Sequence, residues 1–259
     1  MDQLSKWGGP LTPQQQKAVE QAKSFLTQPA GGNGPVGAAA GSGLLSVQVV
    51  DVLGQAKANP VVAFYAAATA VMFLLFSCAN GAGGSLIEEV ESGTLDRLLS
   101  SNLTMTQLLA GKWVSFVLLG VLQVSVMFVW GWAVFKLDFW THIPGFIVMG
   151  TFTALAVAAF GMLLASVCRT RAQLGGLSTI VILIMSSIGG SMFPRFLMPE
   201  AMQKAGFLTI NAWAIDGFTK VFWRDEPISH LWPQVLVLAG VALVLFGVAR
   251  RVARRWEFA

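Results

Sequence analysis

Residues 60–99 read PVVAFYAAATAVMFLLFSCANGAGGSLIEEVESGTLDRLL. Up to Gly81 the stretch holds no Lys, Arg, Asp or Glu, and from Glu88 onward it turns into a dense island of charge, Glu88, Glu89, Glu91, Asp96 and Arg97. An uninterrupted apolar run of about 20 residues is the length a helix needs to cross the hydrocarbon core of a bilayer. The island beyond it then lies in water at one face of the membrane. Four more uncharged runs follow, Trp113–Phe135, Ile143–Val167, Ala172–Phe193 and Leu231–Ala249. They are continuous rather than alternating, so they predict helices and not barrel strands. The expectation is an all-α membrane protein, a bundle of about five transmembrane helices occupying 58–259.

Composition agrees. The chain has 259 residues, 55% of them hydrophobic and only 12% charged, against about 25% charged in an average soluble domain. A net charge of +4 suits basic ends flanking membrane spans and gives no sign of a nucleic-acid binder. Cys78 and Cys168 each fall near the end of an apolar run with no His close in sequence, so neither a disulfide framework nor a metal site is expected. Residues 1–10 carry no apolar core behind their charge, so no cleavable signal is expected there. Residues 1–57 are polar and rich in Gly, Pro and Gln. Thr12-Pro13 opens a helical pattern running to Leu26, Pro29–Gly43 reads as a linker, and 44–57 as a short amphipathic helix. Arg97, Lys112, Arg169, Arg171, Arg250, Arg251, Arg254 and Arg255 fall on one side of the spans; Lys136, Arg195, Lys204, Lys220 and Arg224 fall on the other. The richer side is assigned to the cytoplasm, which places the C-terminus and the charged island inside and residues 1–57 outside. Trp113, Trp130, Trp132, Trp140, Trp232 and Trp256 sit near span ends as interfacial anchors.

Ser85 with Glu88 three residues on is a capping-box pattern and predicts a helix start at Ser85. Gly93 predicts a bend. Thr94 can cap a second turn, with Asp96 near its start suited to the helix dipole. Leu95, Leu98 and Leu99 then share one face and Asp96 and Arg97 another. Thr104 with Gln107 repeats the capping pattern, ahead of an end at Gly111-Lys112. Paired carboxylates could serve acid–base or metal chemistry, but no His is near. A docking surface is favoured over a face that is merely solvated.

Glu88-Glu89-Val90-Glu91-Ser92-Gly93-Thr94-Leu95-Asp96-Arg97-Leu98-Leu99, with Leu108-Leu109-Ala110-Gly111-Lys112 behind it, resembles the membrane subunit of type-2 ABC exporters. A second similarity is Phe193-Pro194-Arg195-Phe196-Leu197-Met198-Pro199 followed by Asn211-Ala212-Trp213-Ala214-Ile215-Asp216-Gly217-Phe218. The resemblance implies that Glu88, Glu89, Glu91, Gly93, Thr94, Leu95, Arg97 and Leu98 belong to a cytoplasmic amphipathic coupling helix that seats in a separate ATPase subunit. It implies that Phe193, Pro194 and Pro199 belong to a broken outer segment before the last helix, acting as an outer gate. It also implies a bacterial inner-membrane location, a homodimer or a heterodimer with a second permease, and ATP and Mg held by the partner and not by this chain. The family's usual first span, preceding an extracellular domain, has no counterpart in residues 1–57, which are expected to be a remnant of that domain. Ile210 stands where the family often has Pro.

The rest of the chain supports this direction. Pro194 and Pro199 cannot continue a regular helix, so Ser191–Ala205 is expected to break or turn. Ala66, Ala70, Gly120, Gly161, Gly240 and Gly247 permit close helix packing. Ionisable groups are missing from the five runs, which argues against an ion-coupled carrier. Gly111-Lys112 is followed by Trp113 and lacks the spacing of a phosphate-binding loop. His142 and His230 fall at outer span ends, away from any hydrolase pattern, so the chain is not expected to be an enzyme. The alternative to a transport subunit is a non-transporting membrane scaffold that docks a cytoplasmic partner.

Overall fold

The computed structural model describes residues 60–253 apart from 101 and 102. The helix, linker and amphipathic segment expected within 1–57, the boundary at 57/58, and Arg254, Arg255 and Trp256 lie outside the described residues.

Every described element is helical. Helix α1 (Pro60–Cys78) runs into a π-helical turn (Ala79–Gly83) and on into α2 (Gly84–Glu91). Gly93, at φ 69°, breaks the rod, and α3 (Thr94–Leu99) follows. Then come α4 (Met105–Phe135), a 3-10 turn (Trp140–His142), α5 (Ile143–Val167) and α6 (Arg171–Gly189). A 3-10 turn (Arg195–Leu197), α7 (Glu200–Gly206) and α8 (Ile210–Phe222) form the broken segment. A last 3-10 turn (Ile228–Leu231) leads into α9 (Trp232–Ala253). Five helices are long and apolar enough to cross a membrane: Ala63–Glu91, Met105–Phe135, Trp140–Val167, Arg171–Gly189 and Ile228–Ala253.

Two expected boundaries move. Ser85 starts no helix: Gly83 before it is already α-helical, with no side-chain cap, and Ser85 Oγ donates back to the Ala82 carbonyl at 3.1 Å. The backbone arrives helical from α1, so the amides of α2 find acceptors upstream and the four orphan donors that a cap would serve do not arise. Gly111-Lys112 ends nothing either. Helix α4 starts on the Thr104–Gln107 capping box and runs unbroken to Lys136, which closes it in the left-handed conformation. An interior Gly costs a helix about 1 kcal/mol, which the buried packing of Val117, Val124 and Phe128 further along helps to offset.

Helix α5 is the axis of the bundle. It packs on α9, α4, α8, α1 and the π turn, and Ala154, Ala156, Val157, Ala158, Ala159 and Met162 are all fully buried. The closest approach is at Gly161. A Cβ there would stand 2.5 Å from the Cys78 carbonyl oxygen, and one on Gly83 would stand 3.0 Å from the Gly161 oxygen. The π turn and α5 therefore touch backbone to backbone. Gly120 of α4 likewise closes on Leu74 and Ala154, whereas Gly240 and Gly247 face open space. Small residues thus pack α1, α4 and α5 tightly, and on α9 Ala242, Ala249 and Ala253 are buried while Gly240 and Gly247 meet none of the described residues. At the other end Phe128, fully buried, meets Phe146, Phe218 and Phe222 with ring centroids 5.1, 5.1 and 4.8 Å away. This cluster joins α4, α5 and α8.

Helices α4, α6 and α9 turn apolar faces outward, among them Leu118, Leu122, Val126, Ile180, Ile184 and Leu243. In a bilayer such faces meet lipid tails or another helix. Trp130, Trp132, Trp140 and Trp232 are exposed at the end opposite the charged island, as anchors would be. Trp113 departs from the anchor reading: its indole donates to the Leu155 carbonyl at 3.0 Å and stacks on Phe246 at 4.6 Å. That stack also brings the end of α9 beside the start of α4.

Replacing Gly161 by Ala must displace backbone and not a flexible side chain. Overpacking of this kind costs about 1–3 kcal/mol. G161A is expected to lower the thermal midpoint of the purified protein in detergent micelles, followed by tryptophan fluorescence, while G240A leaves it unchanged.

Candidate functional site

The charged island is built on a helix that the membrane span itself continues. Glu88 and Glu91, three residues apart, share one face of α2, and Glu89 lies about 100° around the helix. Each face meets a different neighbour. Glu89 Oε1 pairs with Lys112 Nζ of α4 at 2.7 Å, with the two side chains only 24% and 15% exposed. Lys112 Nζ also donates to Ser85 Oγ at 3.2 Å. Glu88 pairs with the Arg171 guanidinium of α6. Glu91 Oε1 accepts the Arg171 backbone N–H at 3.4 Å, and the Gly84 carbonyl accepts from the guanidinium at 3.4 Å. Glu88 and Glu91 remain exposed to water while contacting Arg171, and Glu89 is largely withdrawn against Lys112.

Beyond Glu91 the chain turns outward. Ser92 Oγ and Thr94 Oγ1 share a hydrogen bond of 2.7 Å, and Thr94 Oγ1 donates to the Glu89 carbonyl at 3.3 Å. Thr94 is the first residue of α3 and ties it back to α2. Leu95 is buried at 3% exposure, Leu98 is half-buried, and Gly93, Thr94 and Arg97 are exposed. The apolar side of the turn therefore rests on the bundle and its polar side faces out, as the sequence pattern implied for Leu95 and Leu98.

At the opposite end Gly190, at φ 97°, closes α6. Phe193 is 65% exposed, Pro194 is buried and Pro199 is exposed. Arg195 organises this segment. Its side chain lies in a slot between two glycines: a Cβ on Gly190 would stand 2.7 Å from Arg195 Cγ, and one on Gly206 would stand 3.3 Å from Nε. The guanidinium donates to the Gln203 carbonyl at 2.8 Å and covers the Phe207 ring at 4.0 Å. Burial pulls it below its ordinary pKa, and the Asp216 carboxylate works in the other direction. Thr209 caps α8, accepting the Ala212 N–H at 3.3 Å. Ile210 is then the first helical residue, a position that also accepts Pro, so the departure from the family pattern does not alter the turn. Asn211 donates to Ser186 Oγ at 3.2 Å and Ser191 Oγ at 2.7 Å, all three side chains being buried. His142 bonds Asp225 at 2.5 Å, and His230 lies 3.8 Å from Glu226, so both imidazoles sit beside carboxylates at this end.

Sequence reading missed the partners of the island. Lys112 counted there as an orientation signal and a helix end, Arg171 as an orientation signal, and neither as a partner of the carboxylates. Arg171 is 83 residues from Glu88, and no local pattern links them. It also missed α8 as a buried helix, because Asn211, Asp216 and Lys220 interrupt the apolar periodicity.

Taken together, the elements define a multi-pass helical membrane protein with a charged helical extension at one end and a broken helical segment at the other. The profile of the ABC-2 family transporter proteins matches residues 15–251, and the chain belongs to that family. It is 22% identical over 73% of its length to the linearmycin resistance permease protein LnrN of Bacillus subtilis. Over 64% of its length it is 25% identical to the probable multidrug ABC transporter permease YbhR and 27% identical to the inner membrane transport permease YhhJ, both of Escherichia coli K12. The chain spans about half the length of these curated relatives, 49%, 46% and 45% respectively.

Asn211 is the buried pin between α8 and the end of α6. Asn211→Ala leaves two buried hydroxyls without this donor, a loss of about 1–3 kcal/mol. The thermal midpoint in micelles is expected to fall. Thr141→Ala, which loses only the exposed bond to Asp138, is expected to leave it in place.

Proposed function

We propose that this chain is the transmembrane subunit of an ATP-driven exporter, lying in the bacterial inner membrane with its C-terminus in the cytoplasm. A separate ATPase subunit binds ATP and Mg. Two permease chains, identical or different, form the substrate pathway. The observation that carries the reading is the family match across residues 15–251. The similarity to LnrN, YbhR and YhhJ, each named a permease, supports it.

Within this reading α2 and α3 face the ATPase, and the turn Gly93-Thr94 with Arg97 is the exposed contact. A helix that prolongs α1 through Glu91 suits the task, since displacement at its tip reaches the membrane without crossing a flexible linker. The segment Phe193–Pro199 with α7 and α8 closes the pathway at the outer face. The chain supplies no chemistry of its own to ATP hydrolysis. Its part is to bind the ATPase, change shape with it and hold the pathway.

The wild-type chain, expressed with its genomic neighbours and purified in nanodiscs, is expected to bring down an ATPase subunit whose hydrolysis is sensitive to vanadate. Leu98→Asp, which puts a charge on the half-buried side of α3, is expected to reduce that hydrolysis several-fold with the spans still folded by circular dichroism. A wild-type chain that recovers no ATPase, or a variant with undiminished hydrolysis, contradicts the reading.

A further inference from the structure

We infer that Lys112 and Arg171 are positioning residues that make α4 and α6 follow the movement of α2. The inference deepens the proposed coupling role and rests on it. It is carried by the way adjacent carboxylates diverge. Residues one apart on a helix point about 100° from each other, so Glu88 and Glu89 cannot serve the same neighbour. Glu89 holds α4 through Lys112 at 2.7 Å, and Glu88 holds α6 through Arg171. Glu91, back on the face of Glu88, adds the Arg171 backbone N–H.

Without the Glu89–Lys112 tie α2 would have little hold on α4, and without the Arg171 contacts its hold on α6 would rest on packing alone. The direct packing of α2 on α4 at this level is slight; α2 packs mainly on the π turn, α3, α5 and α6. The Lys112–Glu89 pair is largely withdrawn from water, 15% and 24% exposed, and attraction between charges strengthens as water is excluded. Glu89 Oε2 is buried and has no hydrogen-bond partner among the described residues. A carboxylate in that setting depends on Lys112 for its compensation, so separating the two is unfavourable and the pair moves as a unit. Ser85, which accepts from Lys112, bonds in turn to the Ala82 carbonyl inside the π turn. The tie therefore runs from α4 into the backbone of the α1–α2 rod and does not end at a flexible tip.

The test uses the nanodisc complex with its ATPase. Spin labels at Ser115 on α4 and at Ala172 on α6, each paired in turn with a label at Arg250 on α9, all three exposed, report the distance of each helix from α9 by double electron–electron resonance, with and without ATP and vanadate. Both wild-type distances are expected to shift on trapping. K112E is expected to lose the α4 shift while the ATPase still co-purifies, K112R to keep it, and the swapped pair E89K/K112E to regain it. R171E is expected to lose the α6 shift, and E88R/R171E to regain it. A K112E complex whose α4 distance shifts like the wild type overturns the inference. So does a swapped pair that stays locked while K112R moves, because Lys112 would then be needed only for folding. A wild-type chain that recovers no ATPase overturns the functional reading instead, and the two failures are told apart by that first purification.

Discussion

The contact on which the rest of the structure depends is the backbone approach of the π turn to Gly161. A carbonyl oxygen and a glycine Cα meet where any side chain would intrude, 2.5 Å from an added Cβ. Helices in lipid gain little by hiding apolar surface from water, so they associate through close packing. That makes the smallest residues the strongest determinants of arrangement. Here they fix α1 against α5 at the junction of α1 with the π turn. The π turn is the local cost of this fit. It adds a residue to the helical turn, yet the chain remains helical into α2, so what lies beyond is a lever and not a loop.

The charged island takes its form from that lever. On a flexible loop, Glu88, Glu89 and Glu91 would spend their time in water, and exposed ion pairs there contribute about 0–1 kcal/mol. Carried on a helix docked at its root, they stand at fixed angles and reach two other spans. At the far end the same logic is met with different chemistry. Arg195 in its glycine slot, Thr209 capping α8 and Asn211 bridging two serines hold a segment that cannot be a regular span because Pro194 and Pro199 interrupt it. One end of the bundle is thus braced by ion pairs and the other by a buried hydrogen-bonded pin.

The spans were legible in the sequence because length and the exclusion of charge are one-dimensional properties. The bend at Gly93 and the Thr104–Gln107 cap were legible for a similar reason, since each is a local backbone requirement. Ser85 misled because a capping box is defined by two residues across four positions and says nothing of whether the chain arrives already helical. Trp113 misled because position near a span end suggests an anchor, while its indole is used by Leu155 across the bundle. Lys112 and Arg171 could be placed on the correct end by charge alone, but their partners could not, because the pairing depends on which faces of α2 turn toward α4 and α6. Helix α8 was hidden by its own polar residues. Asn211 and Asp216 find partners in Ser186, Ser191 and Gln234, and no pattern of hydropathy anticipates a polar residue satisfied by a distant one.

If the lever meets an ATPase, the contact lies at the turn between α2 and α3. A photo-activatable amino acid placed at Thr94, exposed at that turn, and another at Leu208, 92% exposed at the opposite end, separate the possibilities in one experiment on intact cells. An ATPase adduct at Thr94 and none at Leu208 is the expected result. An adduct at Leu208, or none at Thr94 in cells where the ATPase co-purifies with the chain, would contradict it.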